Sequence, residues 1–405
     1  MKPLLPVDEA ITRLLEAAVP VADSEALPLA ACDGRVLAAD LAARLTQPPF
    51  DASAMDGYAL RSTDAPEIGS VLTVIGQAAA GHAFPGTVGQ GEAVRIFTGA
   101  PVPAGADTVL IQEDAEVLEA GKIRTAFEVT AGRHIRPRGQ DFAEGEMVLK
   151  SGRELGFTDL TVAAAMNHAT LTVYRRPLIA ILATGDELLP PGSTPLPAQI
   201  IASNTFGIAA LAREAGADIL DLGIIPDNDV LIRAAIGKAV AAKADVLVTL
   251  GGASVGDHDL VQAALKAEGM QLDFWRIAMR PGKPLMVGAI DTMQVLGLPG
   301  NPVASLVCGL LFLEPLIHRI ARRTPLHRAA TARTATPLKA NDHRQDYLRA
   351  RFRTDENGAL VAEAYAKQDS SMMNILAHSD CLIVRPPHAP AMEAGTECPV
   401  IRLRA

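Results

Sequence analysis

The stretch PLIAILATGDEL (residues 177–188) decides the predicted fold. Its first eight residues are a nearly continuous apolar run, and a glycine and two acidic residues follow at once. An apolar run without alternation is typical of a strand buried on both faces, as in a parallel sheet covered by helices. The Gly-Asp-Glu segment predicts a loop at the carboxyl end of that strand.

Downstream, apolar strands alternate with helical segments as far as residue 325, which predicts a doubly wound, mostly parallel α/β sheet. The further predicted strands are ADILDLGIIPD (217–227), DVLVTLGG (245–252), DFWRIAM (273–279), LMVGAI (285–290) and MQVLGLPG (293–300). The predicted helices are SNTFGIAALAREAG (203–216), NDVLIRAAIGKAVAAKA (228–244), DHDLVQAALKAEG (257–269) and NPVASLVCGLLFLEPLIHRI (301–320).

The regions before and after this α/β region have a different composition and pattern of apolar residues. An amphipathic helix is predicted at 8–18, and residues 46–139 are rich in Gly, Pro and Val, with short strand patterns such as SVLTVIG and EAVRIF. After residue 326, DENG (355–358) between DYLRARFR and ALVAEAYA predicts a β-hairpin. We therefore expect β-rich regions before and after the α/β region.

Composition excludes several classes of protein. The 405 residues carry a net charge of −9, contain one tryptophan and show no long basic run, which argues against nucleic acid and anionic membranes as partners. The four cysteines are far apart and suggest neither disulfides nor a zinc knuckle. The N-terminus does not resemble a signal peptide. The most apolar stretch is expected to stop at Glu314 and Pro315, too short for a bilayer. These features predict a soluble, cytoplasmic protein.

Acidic and glycine residues follow several predicted strands. Glu187 and Asp227 each follow a strand, and GGASVGDHD (251–259) brings Asp259 together with Gly251, Gly252, Ser254 and Gly256. Ligands of doubly wound sheets bind beyond the carboxyl ends of the strands. Glycines and a serine before a helix can bind phosphate, and grouped carboxylates suit Mg²⁺.

Each residue also has a structural interpretation. Asp229 and Asp257 fit helix N-caps, and either Asp227 or Asp259 alone fits the same role. Acidic residues at three successive strand ends nevertheless favour a site. The basic segment FWRIAMRPGKP (274–284) adds Arg276, Arg280 and Lys283. If this segment is a strand, Arg276 and Arg280 lie on one face, where they could bind an oxyanion. The alternative interpretation is that the segment is only a solvated strand end without a function.

Seven motifs occur in the order seen in one known family. They are SAMDGYA (53–59), RIFTGAPVP (95–103), GQDF (139–142), ATGDEL (183–188), GGASVGDHD, RPGKP (280–284) and GLPGNPVASLV (297–307). With them the chain resembles, over residues about 5–400, the molybdopterin molybdenumtransferase family, which includes MoeA and the gephyrin E domain. SAMDGYA is the most specific motif, whereas TGDEL and GGxSxG also occur in smaller molybdopterin adenylyltransferases and competence-damage-type proteins.

The resemblance implies four domains. They are an elongated domain of residues 1–45 and 140–176, an inserted β-rich domain (46–139), an α/β molybdopterin-binding domain (177–325) and a C-terminal β-barrel (326–405). It also implies that adenylylated molybdopterin and molybdate bind together with Mg²⁺, that AMP leaves, and that molybdenum passes to the dithiolene sulfurs. A homodimer with a shared active site is implied, together with contacts to the adenylyltransferase and to cofactor-accepting enzymes.

The resemblance also assigns roles to residues. Catalytic positions are Asp56, Thr98, Asp141, Glu187, Asp227, Asp259, Arg276 and Arg280, with Glu187, Asp227 and Asp259 as metal ligands. Substrate-binding positions are Gly251, Gly252, Ser254, Gly256, Lys283, Pro299, Pro302, Ser305, Arg349 in DYLRAR and Ser370 in QDSSM. The family commonly has lysine where this chain has Arg276 and Arg280; arginine stays protonated, so it supports an electrostatic role there and not proton transfer.

Two other functions stay open at this stage. An adenylyltransferase or a pterin or nucleotide phosphohydrolase needs only the α/β region, and residues 46–139 with SAMDGYA argue against it. A scaffold, like the fused animal relative, is disfavoured because the chain has neither a long linker nor a second α/β unit. For Asp56 itself, the structural interpretation is an Asx-type turn with Gly57.

Overall fold

The structure is a computed structural model that describes residues 4–251, 260–354 and 358–404. The chain divides into two compact units, one of residues 1–25, 34–36 and 174–405 and the other of residues 26–33 and 37–173. Four of the predicted site residues, Gly252, Ser254, Gly256 and Asp259, lie outside the described residues. So do Asp257 and the first three residues of the DENG turn.

The helices and strands of the described residues follow the predicted order. The helices are α1 (Val7–Ala17), α2 (Phe157–Ala165), α3 (Asn204–Glu214), α4 (Asp229–Ala241), α5 (Leu260–Ala267), α6 (Pro302–Cys308), α7 (Glu314–Ile320) and α8 (Met373–Ala377). The strands before residue 175 are β1 (Ser24–Pro28), β2 (Leu41–Ala42), β3 (Ala52–Ser53), β4 (Gly57–Leu60), β5 (Val71–Ala78), β6 (Glu92–Ile96), β7 (Thr108–Ile111), β8 (Ala115–Leu118), β9 (Lys122–Thr125), β10 (Ile135–Arg136), β11 (Met147–Leu149) and β12 (Thr170–Tyr174). The later strands are β13 (Leu178–Thr184), β14 (Leu188–Leu189), β15 (Ile200–Ile201), β16 (Asp218–Ile225), β17 (Val246–Leu250), β18 (Gln271–Trp275), β19 (Met279–Arg280), β20 (Met286–Ile290), β21 (Met293–Leu298), β22 (Ala329–Thr334), β23 (Gln345–Thr354), β24 (Leu360–Ala364), β25 (Cys381–Arg385) and β26 (Glu397–Arg402).

The first unit contains a six-stranded sheet in the order β16-β13-β17-β21-β20-β18. The first four strands run parallel, and β20 and β18 join antiparallel. Successive residues of β13 enter two different cores: Ile179 and Ile181 pack with α3, α6 and α7, whereas Ala180 and Leu182 pack with α4 and α5. Because both faces are covered, every side chain from Ile179 to Ala183 is apolar and buried. The predicted doubly wound, mostly parallel sheet is confirmed.

The predicted strand DFWRIAM is wrong in its second half. β18 ends at Trp275, and Arg276 has φ of +77°, which turns the chain out of the strand. Arg280 then lies in β19, which pairs with β23 in a different sheet. The expectation that Arg276 and Arg280 share one strand face is therefore also wrong.

The helix predicted at 301–320 is confirmed, whereas the expectation that its apolar stretch ends at Glu314 and Pro315 and is too short for a bilayer is wrong. A π-helical turn at Gly309–Leu313 leads directly into α7, so Pro315, which lacks an N–H, lies just after a break in the regular i→i−4 pattern. The continuous helix Pro302–Ile320 has 19 residues and is apolar enough to cross a membrane, but 78% of its most apolar window is buried inside the protein. It packs in the core of the sheet, where each fully buried Leu or Phe contributes about 1.5–3 kcal/mol.

The C-terminal region forms a closed five-stranded barrel. Its strands follow the order β23-β24-β22-β26-β25, and β25 pairs back with β23. The antiparallel pairing of β23 with β24 confirms the predicted hairpin on either side of DENG. Closure leaves no free edge among these five strands, and β19 adds to β23 from the segment that contains Arg280.

The second unit contains a six-stranded sheet in the order β7-β4-β6-β5-β9-β8, which accounts for the predicted short strands in SVLTVIG and EAVRIF. A separate apolar cluster in this unit includes Leu37, Phe142 and Leu171 together with Ala163 and Met166 around α2. The four domain boundaries implied by the resemblance stay a prediction.

Candidate active site

A cleft of about 1170 Å³ opens at the carboxyl ends of the parallel strands in the first unit. Among the segments that line it are the end of β13 with the loop after it (residues 183–185, 187 and 188), residues 200–205, residues 279–284, residues 299–302 between β21 and α6, and residues 368–371 before α8. Its position agrees with the rule that ligands of doubly wound sheets bind beyond the strand ends.

Acidic side chains from two strand ends meet in this cleft. Glu187 and Asp227 both line it, and the backbone N–H of Asp227 donates to Oδ1 of Asp186 at 3.0 Å. Loss of solvent raises the pKa of Asp227, and the nearby charges of Asp186 and Glu187 raise it further. The structure thus brings Glu187 and Asp227 into the same cleft. Asp229 is not the N-cap of α4, because the side chain of Asn228 accepts from the N–H of Leu231 instead.

The pair fits a hard divalent cation. Within residues 4–251, 260–354 and 358–404, no group of three or more His, Cys, Asp or Glu side chains is arranged to hold a metal ion. Mg²⁺, however, is commonly bound by one or two carboxylates and completed by substrate phosphate and water. A cation between Glu187 and Asp227 would also offset the repulsion that raises the pKa of Asp227.

The PGNP turn is fixed by two polar side chains. Asn301 donates to Oγ of Ser370 at 2.9 Å, and the N–H of Val303 donates to the Ser370 carbonyl. Asn204, at the start of α3, donates to the carbonyl of Gly300 at 2.8 Å. Pro299, Pro302 and Ser370 line the cleft, whereas Ser305 is fully buried and is not among its described lining residues.

Arg280 reaches the cleft but is held by acidic residues of the barrel region. Its Nε donates to Asp346 Oδ1 at 2.7 Å, its Nη2 bonds the other oxygen of Asp346, and Asp342 lies 3.3 Å from Nη1. These partners, Asp346 first, raise the pKa of Arg280. Its charge is therefore largely compensated, which differs from the free oxyanion-binding group that the sequence suggested.

Of the other two predicted basic residues, Lys283 lines the cleft, and Arg276 is not among the described lining residues. Lys283 is exposed and lines the cleft, as does Arg344, whose Nη2 pairs with Asp342 at 2.8 Å. Arg276 stacks on the Trp275 ring, with 4.4 Å between its Cζ and the ring centre, and is not among the described lining residues.

Arg349 is buried behind the cleft and supports one of its walls. Its Nε donates to Oε1 of Gln368 at 3.2 Å, and its Nη1 donates to the carbonyls of Asp369 and Met372. Burial lowers its pKa. The structure therefore gives Arg349 a supporting position beneath the loop that contains Ser370.

In the second unit, Asp56 and Thr98 form one cluster. Oδ1 of Asp56 accepts from both the N–H and the hydroxyl of Thr98 at 2.7 Å. These bonds, first the one from the backbone, hold the pKa of Asp56 below its usual value. The carboxylate therefore holds the RIFTGAP segment, which differs from an Asx-type turn with Gly57. Asp141 is exposed in the same unit, where its N–H donates to the carbonyl of Gln47.

Gly57 is required by a neighbouring strand. A Cβ added there would lie 2.0 Å from the carbonyl oxygen of Leu110, because β4 runs between β6 and β7 at close range. The backbone of β7 therefore approaches β4 too closely at this position for any residue other than glycine.

Sequence reasoning missed several residues that line the cleft: Asn204, Arg344, Gln368 and Asp369. Asn204 stands at the start of a predicted helix and looks like an ordinary cap. The other three belong to the barrel region, and no local pattern connects them with the strand ends of the α/β sheet.

Three families match successive parts of the chain. Residues 5–167 match the MoeA N-terminal region (domain I and II), residues 180–319 a probable molybdopterin binding domain, and residues 331–403 the MoeA C-terminal region (domain IV). A molybdopterin molybdenumtransferase of Haemophilus influenzae is 34% identical over 385 residues, which cover 94% of each chain. One from Bacillus subtilis is 33% identical and covers 99% of this chain and 94% of its own length.

A solved structure has the same fold throughout. The crystal structure of a molybdopterin biosynthesis moea protein from Pyrococcus horikosii superposes with a TM-score of 0.83. It is 28% identical, and the match covers 100% of both chains. The similarity therefore extends over both the cleft-bearing unit and the β-rich second unit.

Proposed function

This chain belongs to the molybdopterin molybdenumtransferase family, and from that premise we propose that it inserts molybdenum from molybdate into adenylylated molybdopterin and releases AMP, a late step of molybdenum cofactor biosynthesis. The observation that carries the proposal is the cleft at the strand ends, which is lined by Glu187 and Asp227 as well as by Lys283 and the PGNP turn. Acidic residues for a cation and basic residues for anions are what a phosphoanhydride and an oxyanion require.

The proposed roles follow from the contacts. Lys283 and Arg344 line the cleft and bind the anionic oxygens of the substrates. Asn301 and Ser370 hold the PGNP turn against the loop that Arg349 supports, and thereby shape the molybdate side of the cleft. Glu187 and Asp227 would hold Mg²⁺, with Asp259 as a third candidate; Mg²⁺ when bound supplies positive charge that stabilises phosphate leaving groups. Arg280 positions the barrel region through Asp346 and Asp342.

Asp56 and Thr98 are proposed to complete the active site of the partner subunit in a cytoplasmic homodimer. Their bond to each other orders the SAMDGYA segment for presentation to a ligand. With Asp56→Asn and Glu187→Gln each inactive alone, a mixed dimer has one site with both lesions and one intact site. Random exchange should restore about a quarter of full activity under two-fold pairing. No recovery in mixed dimers identified by mass would place both groups in one chain's site.

An adenylyltransferase or phosphohydrolase that needs only the α/β region is not favoured, because relatives align with 94% or more of this chain, second unit included.

The decisive assay follows AMP release from adenylylated molybdopterin. We expect release to need both molybdate and a divalent cation. Full-rate release in EDTA without molybdate would contradict the transferase and favour a hydrolase.

A further inference from the structure

A few buried polar side-chain atoms of the described residues have no hydrogen-bond partner. They include Thr184 Oγ1, Thr249 Oγ1, Trp275 Nε1, Arg276 Nε and Ser305 Oγ. A buried hydroxyl without a partner destabilises a fold, so its retention calls for an explanation. Among these five, Thr184 is the residue that lines the cleft.

Thr184 ends a strand that is otherwise entirely apolar. Residues Leu178–Ala183 of β13 have no polar side chain, and Thr184 itself is only 4% exposed. Valine has nearly the same shape and would suit the end of such a strand without burying a polar atom. The hydroxyl is therefore the feature of this position that packing does not account for.

A glycine of the neighbouring strand approaches the hydroxyl closely. Gly251, at the end of the neighbouring strand β17, also lines the cleft and has φ of +93°. A Cβ on Gly251 would lie 3.6 Å from Thr184 Oγ1 and 2.9 Å from the Thr184 carbonyl oxygen. Any side chain at 251 would clash with the Thr184 carbonyl and press against its hydroxyl, so the close approach of the two strand ends calls for glycine here.

We infer that the Thr184 hydroxyl donates a hydrogen bond to a phosphate oxygen of the substrate in this cleft. The inference rests on the proposed function, which supplies a phosphoanhydride as ligand. A hydroxyl donor suits such an oxygen, since hydrogen bonds to charged acceptors are about twice as strong as neutral ones. Its position beyond a strand end is where doubly wound sheets place ligand contacts.

Thr249 offers a matched control in the adjacent strand. It is fully buried, its Oγ1 is also without a partner, and it is paired beside Leu182 of β13. Its hydroxyl lies toward Gly297, 3.3 Å from where a Cβ on that glycine would stand, and Thr249 is not among the described lining residues. Both threonines are buried and have a hydroxyl without a partner, but of the two only Thr184 belongs to the described lining of the cleft.

The test compares Thr184→Val, Thr184→Ser and Thr249→Val in the full-length protein. Affinity for AMP is measured by calorimetry, kcat/KM by AMP release, and folding by thermal melting. Thr184→Val should weaken AMP binding and lower kcat/KM by roughly 10- to 100-fold, the loss of one hydrogen bond to a charged group. Thr184→Ser and Thr249→Val should stay within about threefold of wild type, and neither valine variant should melt lower, because each removes an unpartnered buried hydroxyl.

Unchanged AMP affinity and kcat/KM in Thr184→Val would overturn the inference. So would an equal loss in Thr184→Ser, which would assign the effect to the methyl group, or an equal loss in Thr249→Val, which would assign it to the core. Loss of kcat/KM with full AMP affinity would overturn the phosphate contact. A wild-type protein that binds AMP but releases none from adenylylated molybdopterin would contradict the proposed function instead, and the AMP titration would still decide the role of Thr184.

Discussion

Replacing Arg280 tests whether this residue is a structural brace, meaning that it holds the barrel region through Asp346, or a cation that binds substrate. The sequence alone suggested an electrostatic role for this arginine toward an oxyanion. The structure shows a two-pronged contact with Asp346, whose side chain is 7% exposed, while the Arg280 side chain is 47% exposed. Lysine provides a point charge and cannot reproduce both bonds. We therefore expect Arg280→Lys to lose stability, and Arg280→Ala to lose more.

The magnitude follows from the unequal burial of the pair. Breaking a fully buried ion pair costs about 3–5 kcal/mol, and an exposed pair contributes about 0.2–1 kcal/mol. Here one partner is buried and the other half-exposed, so removal of the arginine should cost ~2 kcal/mol and the lysine change ~1 kcal/mol. At about 2–4 °C per kcal/mol, Arg280→Ala should melt ~4–8 °C below wild type.

The assay combines thermal melting, a double-mutant cycle with Asp346→Asn and AMP release over a range of molybdate concentrations. If Arg280 is a brace, the two substitutions should be strongly non-additive in stability, because they break the same contact. Arg280→Ala that melts like wild type yet requires much more molybdate would refute the brace and restore the substrate-binding role predicted from the sequence.

Two further predictions test the acidic cluster and the second unit. Glu187→Gln and Asp227→Asn should each lower AMP release by at least ~10–100-fold, as a weakened metal site does. Because the pKa of Asp227 is raised in the folded protein, the ionised form of this side chain opposes folding, so Asp227→Asn should melt at a higher temperature than wild type near neutral pH. This gain in melting temperature should fade as the pH falls toward the ordinary carboxyl pKa of 3.8. A lower melting temperature in both variants would instead make these residues structural. Gly57→Ala should destabilise the second unit by about 3 kcal/mol, since its Cβ would stand 2.0 Å from the Leu110 carbonyl oxygen; unchanged amide exchange in β4 and β7 would contradict this close packing.

The sheet was predictable because a strand that is buried on both faces requires a continuous run of apolar residues. In β13, residues alternate between two cores, so each position must be apolar, and no other common arrangement needs such a strand. The acidic residues after the strands were predictable for the same reason, because topology brings strand ends to one edge. Glu187 and Asp227 are 40 residues apart in sequence and meet in the cleft.

Other features could not be predicted, because they depend on backbone conformations that the residue types do not indicate. FWRIAM has strand propensity, yet Arg276 adopts a left-handed backbone conformation that ends β18. Arg280 therefore lies in β19, which belongs to another sheet. Glu314 and Pro315 made the apolar stretch look too short for a bilayer, yet the preceding π-helical turn leads into a helix that continues to Ile320. In both cases tertiary packing outweighs local preference.

The electrostatics of the cleft connect its parts under the proposed function. Asp186, Glu187 and Asp227 concentrate negative charge at one edge, and burial together with the charges of Asp186 and Glu187 raises the pKa of Asp227, so ionisation of this residue is opposed. An anionic substrate that approached this edge alone would meet further repulsion, whereas a divalent cation offsets both the carboxylates and the phosphate. Lys283 and Arg344 lie on the lining of the same cleft, but Arg344 is already paired with Asp342. Cation and phosphate should therefore bind with positive cooperativity, so that AMP affinity rises when Mg²⁺ is present and this gain disappears in Asp227→Asn. A gain of equal size in that variant would show that Asp227 is not where the two ligands are coupled.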